Sequence, residues 1–367
     1  MQKRRHFLSG LSTALAATWV ESLRAAPDPA KDVIIGHGTH RYKVVKDWVP
    51  AGQGRFHPIL NCHEMVQVRD GRLFMVGDHW DNQMLIFKTD GTILDSWGSA
   101  WPGGHGLTLS NENGEEFLFL TDSGLWKSGG GGYRQTGRVT KMDLTGKELF
   151  SLSHPMSVGA YEPGMVFNPT EVAVAPNGDI YVVDGYGSQF VLRYDHNGKF
   201  ISRFGGKEGV PAEERLNNAH GIAIDTRKGA DQATVIVTSR ADHCFRRFTL
   251  EGKYLETIAV PGAMVCRPVI AGQELYAGVC WSTTPEINKL PQNPSGFTVV
   301  LDATSKVISA PGGTEPVYEE GKLKPLMQAE RVFDHGHDVC VLENGDLIVC
   351  QWNASQTYPV LLQSVRA

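Results

Sequence analysis

Segments of strand length, in which hydrophobic and polar residues alternate or β-branched and aromatic residues run together, recur along the whole chain. In the clearest copy, TEVAVAPNGDIYVVDGYGSQFVLRYDHNGKFISRFG at residues 170–205, four such segments are separated by NG and similar turns. Units of the same kind begin at His63, His105, His220, near Val265 and at His337. Units of about 40 residues with four strands each, repeated six times, predict six four-stranded sheets.

Repeated four-stranded units are typical of a β-propeller, in which each blade buries its faces against its neighbours around a channel. The sixth unit ends before a good fourth strand, whereas residues 40–49 contain a strand that precedes the first unit. We therefore predict an all-β, six-bladed β-propeller over residues 38–367. In this prediction the N-terminal strand 40–49 completes the last blade and removes an exposed sheet edge.

The first 26 residues have a different character from the repeats. Lys3, Arg4 and Arg5 precede an apolar run from Phe7 to Val20 that is shorter than the ~20 residues of a spanning helix. The pattern predicts a twin-arginine signal peptide over residues 1–26, a linker over 27–37, and a periplasmic or secreted protein with no membrane contact after cleavage. A basic tail with a fortuitous arginine pair is the alternative.

Composition limits the possible partners of the 367-residue chain. A hydrophobic fraction of 41% and a formal charge of −5 indicate a globular protein without the basic surface that nucleic acid requires. Six cysteines in an exported protein could form disulfides. The pairs Cys340–Cys350 and Cys266–Cys280 lie about turns and could face each other, but cross-strand geometry often prevents a bond, so both pairings stay open.

Histidine recurs at one position of the repeat, the start of the innermost strand. This position holds His63, His105, Thr170, His220, Cys266 (or Val265) and His337. His105, His220 and His337 come from blades two, four and six, at separations of 115 and 117 residues. Side chains from alternate blades converge on the channel axis, and three imidazoles with an open fourth position are typical of catalytic zinc.

Some of these histidines could instead cap a strand by bonding neighbouring backbone groups. We favour that interpretation for His63 of blade one, because the alternate blades three and five carry Thr170 and Cys266 at the same position. His335 is the second choice to His337, but the alignment of HGL, HGI and HDV selects His337.

The link between the second and third strands lies on the same face as the histidines. It contributes His79, Gly124, Tyr186, Arg240, Trp281 and Asn353. A phenol and a guanidinium beside a metal suit proton abstraction from an anionic substrate, which makes Tyr186 and Arg240 candidate catalytic residues.

The repeats resemble NHL repeats. The set HGL (105), PTEVAV…VVDGY (169–186), AHGIAI (219), SR (240) and HDV (337) is similar, in order and spacing, to the peptidyl-α-hydroxyglycine α-amidating lyase family. The resemblance implies a catalytic zinc on His105, His220 and His337. It also implies that Tyr186 acts at the reacting hydroxyl, with Arg240 nearby, and that a structural calcium is held by Asp338 and the carbonyl of Leu107.

The implied reaction splits a carbinolamide, a small molecule or the C-terminal residue of a peptide, into an amide and glyoxylate. The family has arginine before GDH in the first blade, whereas this chain has Val76, and a separate monooxygenase would have to supply the hydroxyglycine. A non-catalytic NHL propeller that binds a peptide, glycan or protein is the alternative. A metal-dependent hydrolase such as a lactonase is a third hypothesis. The histidines argue against it, because such sites favour carboxylate and Asn ligands for calcium.

Overall fold

Antiparallel β-sheet is the dominant structure of the chain. The computed structural model describes residues 32–128, 131–283 and 293–365, so the expected signal peptide at 1–26 lies outside the described residues. Within these ranges the helical segments are four three-residue 3-10 turns, Gln53–Arg55, Ala212–Glu214, Ala230–Gln232 and Arg240–Asp242. None of the helices in the described ranges is long and apolar enough to cross a membrane.

The strands group into six blades. An N-terminal hairpin contains β1 (Ile34–His37) and β2 (His40–Val45). Blade one contains β3 (Cys62–Gln67), β4 (Leu73–His79), β5 (Asn82–Phe87) and β6 (Ile93–Trp97). Blade two contains β7 (Gly104–Glu112) and β8 (Glu115–Asp122), then an inserted hairpin of β9 (Leu125–Ser128) and β10 (Gly131–Arg134), then β11 (Arg138–Asp143) and β12 (Glu148–Ser151).

The other blades follow the same order. Blade three contains β13 (Glu171–Val174), β14 (Ile180–Val183), β15 (Phe190–Tyr194) and β16 (Phe200–Gly205). Blade four contains β17 (Ala219–Asp225), β18 (Thr234–Ser239), β19 (Cys244–Thr249) and β20 (Tyr254–Ala259). Blade five contains β21 (Ala263–Ala271), β22 (Glu274–Ser282), β23 (Phe297–Leu301) and β24 (Val307–Ser309), and a small hairpin of β25 (Tyr318–Glu319) and β26 (Lys322–Leu323) follows it. Blade six contains β27 (Gly336–Val341), β28 (Leu347–Gln351) and β29 (Val360–Ser364).

The N-terminal hairpin completes blade six, as the sequence predicts. The sheet order is β27, β28, β29, β2 and β1, and Val44 of β2 pairs with Leu362 of β29. The expected six-bladed propeller and its closure are therefore confirmed. The blade extends further than expected, because β1 occupies residues 34–37, which the sequence assigned to the linker.

The hydrophobic core is divided into six clusters, each between two neighbouring blades. Val66 and Phe74 of blade one, for example, pack against Leu107 and Leu118 of blade two. The cluster that closes the ring joins Met65 and its neighbours in blade one to the last blade. Since every blade buries both faces, the alternating or continuous apolar patterns of the strands are accounted for.

Candidate metal centre

Four imidazoles meet in the channel at the start of the inner strands. His105, His220 and His337 come from β7, β17 and β27, and the three ring centroids lie 4.8–4.9 Å apart. The fourth imidazole is that of His63 in β3. All four side chains are buried. The structure therefore places the three imidazoles that the spacing selects side by side on the axis.

Two backbone carbonyls set the tautomers of this cluster. His105 donates from Nδ1 to the carbonyl of Thr170 (2.8 Å), and His337 donates from Nδ1 to the carbonyl of His63 (2.9 Å). With Nδ1 protonated, Nε2 of each ring carries the lone pair that a metal ion requires. Burial lowers the pKa of His105, His220 and His337 well below the usual value, which keeps the rings neutral. Neutral, oriented imidazoles of this kind fit zinc.

His63 belongs to the cluster, contrary to the strand-capping role expected for it. Its ring centroid lies 4.8 Å from those of both His105 and His337, and its Nδ1 is 3.5 Å from Nε2 of His337. Its Nε2 faces Oδ2 of Asp78 at 3.3 Å. One ligand nitrogen from each of these three histidines lies within 4.8 Å of the others. Adjacent blades reach the axis as well as alternate ones, so the absence of histidine from blades three and five did not exclude His63 from the cluster.

Asp78 is held as an anion beside His63. Burial alone would raise the pKa of Asp78, but hydrogen bonds from His63 and Asn61 lower it below the usual value. Asn61 donates from its backbone N (2.9 Å) and from its side chain (2.8 Å) to the two carboxylate oxygens. A metal-facing histidine is commonly oriented by a carboxylate in this way.

Tyr186 reaches the cluster from the turn after β14. Its hydroxyl lies 3.1 Å from Nε2 of His105 and 3.1 Å from Nε2 of His220. The DGY turn packs so closely on blade four that a Cβ on Gly185 would lie 1.4 Å from the carbonyl oxygen of Ala219, which only glycine permits. Burial raises the pKa of Tyr186 to about 12, while the nearby Arg240 opposes that rise.

Asn168 fixes the position of this turn. Its carbonyl accepts a hydrogen bond from the backbone N of Tyr186 (3.1 Å), and its amide donates to the carbonyls of Ser123 and Gln135 (2.7 Å each). Arg134 of the inserted hairpin donates to the Asn168 side chain (2.9 Å) and to the Tyr186 carbonyl (3.2 Å). Blade two and its hairpin are therefore tied to the backbone that carries the phenol.

Arg240 presents a buried guanidinium to the same site. Its Nε donates to Oδ1 of Asn218 (2.6 Å), and its Nη1 lies 3.8 Å from the sulfurs of Cys266 and Cys280. The residue is 8% exposed, and within the described ranges no carboxylate forms an ion pair with it. A buried cation without a carboxylate partner favours an anionic ligand.

A cavity of about 500 Å³ opens above the imidazoles. His63, His105, Tyr186 and Arg240 line it, whereas His220 and His337 do not. Trp126, Tyr133 and Arg134 of the inserted hairpin form one wall, and Trp352 and Asn353 are also part of the lining. The cavity therefore combines apolar walls with a few convergent polar groups, as small-molecule sites commonly do.

Three other rim residues selected from the sequence, His79, Gly124 and Trp281, do not line this cavity. His79 stacks on Trp80 with ring centroids 4.2 Å apart. Trp281 packs against His335, with centroids 4.8 Å apart, and His335 donates to the carbonyl of Cys280 (2.9 Å). Gly124 supplies a turn with φ of 72°. His335, the second choice to His337, is thus part of an aromatic cluster.

Val76, at the position of the family arginine, does not line the cavity. It is fully buried in the apolar cluster between blades one and two, whereas Asp78, two residues later, faces the cavity.

A ring of charged residues lies one position further along the inner strands. Glu64, Glu171, Arg267 and Asp338 follow His63, Thr170, Cys266 and His337. The three carboxylates are completely buried, and burial together with Glu171 raises the pKa of Glu64 well above its usual value. Leu107 also lies here and donates its backbone N to Oε2 of Glu64 (2.7 Å). These charged residues were not among the sequence-based candidates, because they stand one residue after the histidine position. The same alignment of the repeats, moved by one residue, brings them into one column.

All six cysteines are buried free thiols. The sulfurs of Cys266 and Cys280 lie 3.0 Å apart on neighbouring strands. Cys340 pairs with Ile348 and Cys350 pairs with Asp338, so these two cysteines do not stand opposite each other across the hairpin.

Comparison with known proteins finds relatives with NHL repeats, although no family model matches the chain. NHL repeat-containing protein 3 of Homo sapiens is 28% identical over 210 residues, covering 50% of this chain and 57% of that protein. A probable peptidyl-alpha-hydroxyglycine alpha-amidating lyase of Caenorhabditis elegans is 31% identical over 132 residues, covering 35% of this chain and 33% of that protein. The matches thus span little more than half of the first relative and a third of the second.

A solved structure of a protein of unknown function from Bacteroides thetaiotaomicron has a TM-score of 0.51 at 10% identity, covering 83% of this chain and 70% of that chain. At this identity the likeness concerns the fold alone. Fold and repeats together define a six-bladed β-propeller. The chain resembles the NHL-repeat proteins and, over a shorter stretch, the amidating lyase family.

Proposed function

We propose that the protein is an exported zinc-dependent lyase that cleaves an α-hydroxyglycine carbinolamide into an amide and glyoxylate. The observation that carries the proposal is the position of the Tyr186 hydroxyl, 3.1 Å from Nε2 of His105 and from Nε2 of His220. A phenol placed among buried, neutral imidazoles is the arrangement that moves a proton at a metal-held oxygen. The partial likeness to an amidating lyase supports the same reaction.

His105, His220 and His337 would hold the zinc through Nε2, which the Nδ1 hydrogen bonds leave unprotonated in His105 and His337. The zinc would replace the contact of Nε2 of His105 with the Tyr186 hydroxyl. Because the ligand atoms that lie within 4.8 Å of one another belong to His63, His105 and His337, His63 would stand next to the ion. When bound, zinc supplies Lewis-acid polarisation of the substrate hydroxyl. The protein itself contributes the fixed orientation of the imidazoles and a channel from which bulk water is excluded.

Arg240 would bind the substrate carboxylate. Its guanidinium is buried beside the cavity and lacks an acidic partner among the described residues, so an incoming carboxylate would satisfy a charge that is otherwise unpaired. Charge-assisted, bidentate pairing would also orient the α-carbon toward Tyr186. The substrate is therefore a carboxylate with an apolar group that contacts Trp126 and Trp352.

Tyr186 would carry the proton that the reaction moves. Cleavage breaks the bond between the α-carbon and the amide nitrogen, turns the C–O bond into the C=O of glyoxylate, and transfers the hydroxyl proton to the leaving nitrogen. Burial raises the pKa of Tyr186 to about 12, so the phenol is protonated; it would donate its own proton to the leaving nitrogen and take up the proton of the substrate hydroxyl in exchange. A separate monooxygenase would supply the hydroxyglycine.

A second function is a propeller that binds a peptide, glycan or protein without catalysis. Two observations favour it: Val76 is in the core where the family has arginine, and the relative that matches the larger share of the chain carries only an NHL-repeat name. In that case a metal at the histidines would serve stability only.

The experiment that separates the two is glyoxylate release from an α-hydroxyglycine peptide by purified protein of measured zinc content. The lyase predicts turnover that Tyr186→Phe reduces by about 10²–10⁴-fold, the range for a lost acid–base group. Tyr181→Phe is the matched control, because that buried phenol bonds the carbonyl of Leu250 away from the cavity.

Absence of turnover by the zinc-loaded wild type, with ligand binding unchanged after chelation, would replace the lyase with the binding function. Equal losses in the Tyr186 and Tyr181 variants would show that the phenol acts through stability alone. Loss of zinc in His220→Ala, with Tyr186→Phe retaining it, would assign the two residues their separate roles.

A further inference from the structure

The ring below the imidazoles contains one guanidinium and three acidic side chains. In blades two and four the equivalent residues are Gly106 and Gly221, where a Cβ would lie 2.6 Å from a neighbouring backbone atom. These two positions therefore leave no room for a side chain. The remaining positions of the ring supply Glu64, Glu171, Arg267 and Asp338.

The guanidinium of Arg267 is the shared partner of all three carboxylates. Its Nε lies 3.4 Å from Glu171 and 3.7 Å from Glu64, and its Nη1 lies 3.3 Å from Asp338. The carboxylates have no solvent exposure, and the Arg267 side chain is 12% exposed. A single planar cation thus stands among acidic side chains contributed by blades one, three and six.

Other contacts already use one oxygen of each acid. Oδ2 of Asp338 accepts from the backbone N of Met65 (2.9 Å), and Oε1 of Glu171 accepts from the backbone N of Val172 (2.9 Å). The remaining oxygens, Glu64 Oε1, Glu171 Oε2 and Asp338 Oδ1, have no hydrogen-bond partner. These are the atoms that a metal ion would use, so a test must be able to detect calcium here.

We propose that the guanidinium of Arg267 takes the place of the structural calcium that the family resemblance assigns to Asp338 and Leu107. Calcium binds six to eight oxygens at 2.3–2.6 Å, which draws its ligands close around one point. Among the described residues the group with ligand atoms within 4.8 Å of one another is a histidine triad, and the three acids are not such a group. A calcium ion would also be repelled by the guanidinium at the same carboxylates.

This inference is independent of the lyase reaction and of zinc. The acidic side chains in the middle of the channel are held together by the guanidinium of Arg267, which is part of the chain and which no chelator can remove. The chain would then need no calcium for stability, in contrast to the expectation drawn from the family.

The experiment measures thermal unfolding midpoints and bound calcium on the full chain, treated with chelator, desalted and then supplied with calcium chloride. For the wild type we expect no midpoint shift and less than one calcium per chain by mass spectrometry. For Arg267→Met we expect a lower midpoint, because three buried carboxylates lose their cation, and an upward shift when calcium is added.

Arg247→Met is the matched control, since Arg247 forms equally buried ion pairs with Asp225 on the outer part of blade four. Its midpoint should fall without any response to calcium. Arg267→Lys, which keeps the charge, serves if the Met variant does not fold and should remain insensitive to calcium. A calcium-induced shift in the wild type, or an Arg267→Met variant that is as stable as the wild type or does not respond to calcium, would overturn the proposal.

Discussion

The carboxylate of Asp78 lies 3.3 Å from Nε2 of His63, and the other nitrogen of that ring faces His337 at 3.5 Å. Mutation of a residue that contacts a metal ligand without being one commonly changes metal affinity by about 10–100-fold, and His63 contacts the proposed ligand His337 in this way. We therefore predict that His63→Gln weakens zinc binding by about that factor and leaves the unfolding transition of the metal-free protein nearly unchanged. Competition with a chromophoric zinc chelator measures the change.

His79→Gln is the control for this prediction, because His79 is a rim histidine stacked on Trp80. It should bind zinc like the wild type. Equal zinc affinity in the His63 variant and the wild type would show that His63 does not contribute to zinc binding and would support the strand-capping role that the sequence suggested.

Asn168 connects Tyr186 to blade two, and its side chain is fully buried. Asn168→Ala leaves the carbonyls of Ser123 and Gln135 without their donor, which costs about 1–3 kcal/mol of the free energy of unfolding. Because the turn loses its anchor, kcat should fall more than KM rises. Steady-state kinetics and urea unfolding check both effects. A stability loss without any change in kcat would show that Asn168 supports the fold alone.

Asp184, in the same turn, makes the free energy of unfolding depend on pH. Burial raises its pKa to about 6, although Tyr161, Asn168 and Ser188 donate hydrogen bonds to it. The folded state therefore holds this proton more tightly than the unfolded chain, whose value is 3.8. The stabilising contribution of Asp184 to the free energy of unfolding is complete below pH 3.8 and is lost as the pH rises through about 6.

Comparison with Asp184→Asn isolates this group from the other titrating residues. The shift of about two pKa units corresponds to at most roughly 3 kcal/mol. The wild type should therefore lose up to that amount relative to the variant between about pH 4 and about pH 7, measured by urea unfolding. A difference between the two proteins that does not vary with pH would contradict the raised pKa.

The propeller could be predicted because each of its determinants is local in the sequence. Strand alternation and NG turns define the units, and the strand at 40–49 accounts for the missing part of the last blade. His105, His220 and His337 could be selected because a two-blade separation places residues around one axis. Nothing beyond the repeat period was required.

Other parts of the centre depend on contacts between blades that the repeat does not encode. The hydrogen bonds from Asn168 to Ser123 and Gln135 cross from blade three to blade two. The contact between His63 and His337 joins the first and last blades, 274 residues apart. Such pairs are visible only when the ring is closed. The Arg267 position, in contrast, could have been found by extending the alignment by one residue.

The burial of Val76 gives the last prediction, which concerns the missing arginine of the family. Val76 points into the apolar cluster between blades one and two, whereas the pairing of β4 with β5 changes register between Val76 and His79, and Asp78 in this irregular segment lines the cavity. Val76→Arg would therefore bury an unpaired charge and should cost about 3–5 kcal/mol of the free energy of unfolding, without gain in glyoxylate release. Val317→Arg, at a position that is 48% exposed, should change it by no more than about 0.5 kcal/mol. A stable Val76→Arg protein with increased turnover would show instead that residue 76 faces the substrate.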